Sequence, residues 1–91
     1  MSIKGLIKLG QTVITPRARG TLNMQDVLKG LQRHEMGDFG DVCDEDKETN
    51  LEGLQNGGQV ISAYTDRNDN RFWIITEGDR SVTTILLPDE Y

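Results

Sequence analysis

The segment Arg71–Pro88, RFWIITEGDRSVTTILLP, narrows the choice of fold more than any other stretch of the chain. Phe72-Trp73-Ile74-Ile75-Thr76 and Val82-Thr83-Thr84-Ile85-Leu86-Leu87 are rich in β-branched and aromatic residues, which suit a pleated, half-buried surface. Between them Glu77-Gly78-Asp79-Arg80-Ser81 carries turn chemistry: Gly78 tolerates positive φ, and Asp79 can accept from its own backbone. The segment reads as an antiparallel hairpin. Phe72/Ile74 and Trp73/Ile75 place apolar side chains on both of its faces, as in a strand central to its sheet or covered by helices.

Around that hairpin there is chain for one small domain, 1–91, with Met1–Gly10 as a loosely held leader or a short edge strand through Leu6-Ile7. With 35% hydrophobic residues and a mean hydropathy of −0.53, the core must come from a few good segments. The net charge of −5 is unevenly spread: residues 1–34 carry +5, residues 35–52 carry −7, and the remainder carries −3. Wrapping nucleic acid requires clustered Lys and Arg, so nucleic acid is not the expected partner. Cys43 is the sole cysteine, which rules out an intramolecular disulfide or a thiolate zinc cluster and suits a reducing cytoplasm. No apolar run approaches the roughly 20 residues of a membrane span, and the N-terminus lacks the apolar stretch and cleavage site of a signal peptide. The expectation is a cytoplasmic protein with no membrane contact.

Along the chain, Gln11–Thr15 reads as a strand, and Thr15-Pro16 opens a short helix, with Thr15 as cap and proline at the first helical position. Asn23 caps a second helix whose apolar stripe is Met24, Val27, Leu28 and Leu31, stopped by Gly37. Asp41 is the expected cap of a third helix, Val42–Gln55, with Asp44, Glu45 and Asp46 complementing its dipole. Its inward stripe would be Cys43, Lys47, Asn50, Leu51 and Leu54. Val60–Tyr64 is a strand, and Asp66–Asn70 turns the chain into the hairpin. The fold class is therefore α+β. A sheet of about four strands, mostly antiparallel, is built as a strand, two to three helices and a three-strand meander, with the helices on one face.

Several stretches resemble a family of small uncharacterised bacterial proteins of plasmids and other mobile elements. They are Thr15-Pro16, Leu31-Gln32-Arg33-His34, Gly37-Asp38-Phe39-Gly40, Asp46, Asn50 and Ile61-Ser62-Ala63-Tyr64. The strongest is Trp73–Ser81 with Thr83-Thr84, Leu86-Leu87-Pro88 and Glu90-Tyr91. The similarity runs from about Gly10 to the C-terminus. It departs from the family at Phe39, Gln59 and Gly78, where Trp, Arg and Ala are usual. The resemblance implies a cytoplasmic accessory protein and carries no established reaction.

Three constellations are candidates for function. His34, Asp38, Asp41, Asp44, Asp46 and Asn50 could converge on a divalent ion if the joint folds back. Yet acids at a helix start, and a histidine in a last turn, also serve the helix dipole, and no calcium-loop pattern is present. Thr76, Glu77, Asp79 and Arg80, with Arg67 and Trp73, form the second. There an ion-paired turn is the plain reading, and an Arg80 offered to an anion or partner carboxylate is the functional one. Trp73 and Tyr64 would then make an aromatic hot spot on the sheet. The third pairs His34 with Cys43 as a reactive couple, against which the surrounding acids would raise the thiol pKa.

No cofactor, metal or catalytic residue is assigned from the sequence. The candidate binding residues are His34, Asp38, Phe39, Asp41, Asp46, Asn50, Tyr64, Arg67, Trp73, Thr76, Glu77, Asp79, Arg80 and Thr83. The expected role is a binding or regulatory module acting on a protein partner, with a homodimer also open through an uncovered sheet edge. The other reading is a small toxin-like ribonuclease using Arg67, Arg71, Arg80 and His34.

Overall fold

A computed structural model describes residues 7–91. Strand β1 (Gln11–Ile14) leads into helices α1 (Pro16–Thr21), α2 (Met24–Glu35) and α3 (Asp44–Asn56). Strands β2 (Val60–Thr65), β3 (Arg71–Thr76) and β4 (Val82–Leu86) follow, and a 3₁₀ turn covers Pro88–Glu90. The strands form one mixed sheet in the order β1-β4-β3-β2, with β2, β3 and β4 an antiparallel meander and β1 parallel to β4. This is the expected α+β fold. A parallel first strand follows from the helices between β1 and the meander, which supply the crossover that a parallel pair needs.

The local starts were legible. Thr15 Oγ1 accepts from the Ala18 N–H at 3.1 Å with proline at the next position, and Asn23 Oδ1 accepts from the Asp26 N–H at 3.1 Å. Gly37 takes φ 84° beyond α2, as a left-handed terminator should.

The buried face of α2 is rotated from the expected stripe. Val27, Gly30 and His34 are buried, whereas Met24 and Leu28 are 40% and 60% exposed. Gly30 explains the rotation: a Cβ there would stand 3.0 Å from the Phe72 ring, so its absence lets α2 approach β3 closely. The resulting core joins Ala18, Leu22 and Val27 to Tyr64, Phe72, Ile74, Ile85 and Leu87.

The third helix differs more. It begins at Asp44, with Cys43 and not Asp41 as the N-cap and no side-chain cap bond; Asp41 lies instead along β2, its N–H donating to the Ala63 carbonyl at 2.8 Å. Of the expected stripe only Asn50 is buried and Leu54 half-buried, while Cys43, Lys47 and Leu51 are exposed. The reason is placement: α3 runs along the outer edge of β2 instead of lying with α1 and α2. Asn50 Nδ2 donates to the Ile61 carbonyl at 2.7 Å, and the Ile61 N–H donates to Asn50 Oδ1 at 3.0 Å. One amide side chain thus satisfies the edge backbone as a further strand would. Two residues on, the Ala63 N–H donates to the Phe39 carbonyl at 3.0 Å, so residues 39–41 continue the cover. Asn50→Ala is expected to cost about 2 kcal/mol in urea denaturation, since it strips two bonds from a part-buried edge.

The leader expectation falls partly on residues 1–6, which lie outside the described residues, Leu6 of the proposed edge strand among them. Ile7 and Leu9 are not loose: Ile7 is buried with Phe39 and Val60, and Leu9 packs against that cluster.

Candidate functional site

Most of the candidate binding residues are committed to the fold. His34 is fully buried beneath the sheet. Its Nδ1 lies 2.6 Å from Ser62 Oγ and its Nε2 2.8 Å from Thr76 Oγ1; Thr76 Oγ1 lies 2.8 Å from Thr83 Oγ1, which donates to the Leu9 carbonyl at 2.7 Å. That last bond sets the direction of the whole chain. A carbonyl only accepts, so the Thr83 proton is spent on Leu9 and Thr76 must donate to Thr83. Thr76 therefore accepts from His34 Nε2–H, leaving Nδ1 bare to accept from the Ser62 hydroxyl. The imidazole is neutral, in the Nε2–H tautomer. Burial, and secondarily the Arg80 charge, lowers its pKa to about 4, in keeping with that assignment. Thr76 and Thr83 are thus core residues, on the sheet face opposite Trp73.

Arg80 is likewise occupied. Its own φ is 63°, and its guanidinium donates to the carbonyls of Gly58 (2.7 Å), Gly53 (3.0 Å), Glu77 (3.1 Å) and Gly78 (3.4 Å). It ties the hairpin turn to the C-terminal end of α3, where a cation complements the helix dipole. The turn is therefore not ion-paired as expected. Positive φ falls on Arg80 and not on Gly78, whose lack of a Cβ instead makes room for the Gly57 carbonyl. Asp79 does accept locally, from the Ser81 N–H and hydroxyl, and Glu77 is exposed.

Arg67 pairs with Asp26, Nε to Oδ2 at 3.0 Å and Nη2 to Oδ1 at 3.1 Å. Asp38 is forked by Arg33 at 2.7 and 3.2 Å, and that guanidinium holds its carboxyl below the usual range. The Arg33 guanidinium also lies 4.7 Å from the centroid of the Tyr64 ring, whose hydroxyl donates to the Asp38 carbonyl. Burial pushes the Tyr64 phenol up to about 12, so it remains a donor. Phe39 is buried. Among the described residues, no group of three or more His, Cys, Asp and Glu side chains could hold a metal ion.

The expected Tyr64–Trp73 hot spot is divided between the two faces. Tyr64 packs on Phe72 with centroids 5.7 Å apart, while Trp73 meets Tyr91 edge-on at 5.3 Å. The reason is register: Trp73 pairs with Ala63 and Phe72 with Tyr64, so Tyr64 and Trp73 point to opposite sides.

What the fold does assemble is a cleft of about 300 Å³ on the sheet face away from α1 and α2. Ile61, Ala63 and Trp73 form its apolar floor, and Tyr91 stands over the indole. Asp41 and Asp46, beside the exposed Cys43 thiol, rise from the segment that covers the β2 edge, and Arg71 closes the far rim. Of the sequence candidates, Asp41, Asp46 and Trp73 meet here, with Tyr64 at the margin. Tyr91 and Ala63 were missed. An 18-residue separation leaves no sequence signal that Tyr91 returns to Trp73. Ser62, whose partner His34 is 28 residues away, was also missed, as was Asp66, which joins two near neighbours to the distant Asn23. Asp66 is buried and accepts from the N–H groups of Asn23, Asn68 and Asn70 at 2.9 Å each.

No family model, curated protein or solved structure matches this chain. No helix among the described residues is long and apolar enough to cross a membrane.

Proposed function

We propose that this chain is a non-catalytic binding module, of the kind carried as an accessory by mobile genetic elements, that seats a basic segment of a partner protein in the Trp73 cleft. The observation that carries the reading is the cleft's composition: an aromatic pair over an apolar floor, with two carboxylates on one wall. A Lys or Arg side chain lays its stem on apolar surface, its cationic head favours an aromatic face, and carboxylates complement it. The acidic residues of α3 extend the same potential outward and would speed the encounter. The engagement of His34, Arg67 and Arg80 within the fold supports binding over the ribonuclease reading, which needs those groups at a substrate. The mobile-element setting rests on the sequence resemblance.

Trp73 is the only tryptophan and reports on the cleft directly. Titrating the protein with an extended Lys/Arg-containing peptide is expected to shift its fluorescence saturably. The same peptide with glutamine in place of each base should leave the signal flat. Asp41→Asn with Asp46→Asn should weaken binding about tenfold, or about 1.4 kcal/mol, and added salt should weaken it further. An unmoved signal, or one indifferent to salt and to both substitutions, would remove the electrostatic basis of the proposal.

A further inference from the structure

The two edges of the sheet are treated differently. The β2 edge is sealed by the Asn50 amide at Ile61 and by the backbone of residues 39–41 at Ala63. The β1 edge has no such cover among the described residues. The Gln11 N–H donates to the Ser81 carbonyl at 2.9 Å and the Thr15 N–H to the Ile85 carbonyl at 3.0 Å, so residues 11, 13 and 15 face β4. In a strand the next residues face the other way, so Thr12 and Ile14 direct their N–H and C=O groups outward. Gln11, Thr12 and Val13 are exposed.

We infer that this edge pairs with the same edge of a second copy of the chain, antiparallel, about a two-fold axis through Val13. The backbone is self-complementary in that register. Thr12 faces Ile14 of the other copy and exchanges both bonds with it, as does Ile14 with Thr12, while the two Val13 residues meet as the close, non-hydrogen-bonded pair. Their side chains lie on the cleft face, in the row that runs from Val13 through Thr84 and Ile75 to Ile61.

Charge favours the same occupant. Gln11–Thr15 bears no ionisable side chain and none of the lysine or proline that usually protects an edge. The acidic α3 lies along the opposite edge, so the −7 segment of one copy does not meet that of the other when two chains approach at β1. Two short strands bury less than the roughly 800 Å² per partner of a standard stable complex, so the association is weak and concentration-dependent. The product is a continuous eight-stranded sheet with both Trp73 clefts on one face.

Sedimentation across a concentration series tests it. The 10.2 kDa chain should move toward twice its mass as concentration rises through the micromolar to millimolar range. Val13→Lys, which sets two ammonium groups against each other on the axis, should remain monomeric with an unchanged far-ultraviolet spectrum. Thr12→Pro, which deletes only an outward N–H, should do the same. Val13→Cys in a Cys43→Ser background should form a disulfide dimer under mild oxidation, and Thr12→Cys, whose side chain lies on the other face, should not. Wild-type protein that stays monomeric throughout would overturn the inference. So would a Val13→Lys protein that self-associates as the wild type does, because the contact would then lie elsewhere.

Discussion

Replacing His34 by alanine is expected to destabilise the fold by about 3–5 kcal/mol, because it opens a cavity and orphans two buried hydroxyls together. Ser62 loses its acceptor and Thr76 its donor, both at fully buried positions. The same residue makes stability depend on pH. Unfolded, His34 titrates near 6.5; folded, burial lowers its pKa to about 4. Above pH 6.5 both states are neutral and the residue contributes no slope. Below it the unfolded chain binds a proton that the folded chain refuses, so stability falls as pH drops from 6.5 toward 4, by about 3 kcal/mol in all. Below about pH 5 the hydrogen-bonded carboxylates of Asp26, Asp38, Asp66 and Asp79, each held below its ordinary value, add to the loss. The interval from pH 6.5 to 5 therefore isolates the histidine. Denaturant midpoints measured there should fall for the wild type and stay level for His34→Gln; equal slopes in the two proteins would assign the effect to another group.

Gly40→Ala should rank with it, at about 3 kcal/mol or more. Gly40 has φ 70°, and a Cβ at that position would run into the Ala63 carbonyl and stand 2.7 Å from the Tyr64 ring. Neither neighbour can withdraw, since Ala63 is paired into the sheet and Tyr64 is packed on Phe72. The strain would be relieved by lifting residues 39–41 off β2. Hydrogen exchange at the Ala63 N–H, slow in the wild type through its bond to the Phe39 carbonyl, should then become fast. Because Asp41 belongs to the lifted segment, the Trp73 cleft should lose peptide affinity in the same variant. Loss of stability with Ala63 still protected would place the damage elsewhere.

His34, Arg80 and Asn50 owe their roles to groups far away in the chain. His34 occupies the last turn of α2, and by position alone it resembles a dipole-complementing or ligating histidine. Its role is decided by Ser62 and Thr76, 28 and 42 residues away. Arg80 reads as an exposed turn cation until the carbonyls at the end of α3, more than 20 residues earlier, are brought beside it. Asn50 reads as a flaw in a weak apolar stripe, and is instead the group that closes a sheet edge.

By itself the sequence determined the elements whose causes are local. The caps at Thr15 and Asn23, the terminator at Gly37, the three-strand meander and the α+β class follow from side chains acting on backbone a few residues away. Only the tertiary structure decided the parallel pairing of β1, the rotation of α2 over Phe72, the course of α3 along an edge and the meeting of Trp73 with Tyr91. Propensity and capping act within a turn or two of chain, whereas burial and hydrogen-bond satisfaction are settled by whichever distant groups the packed chain sets alongside.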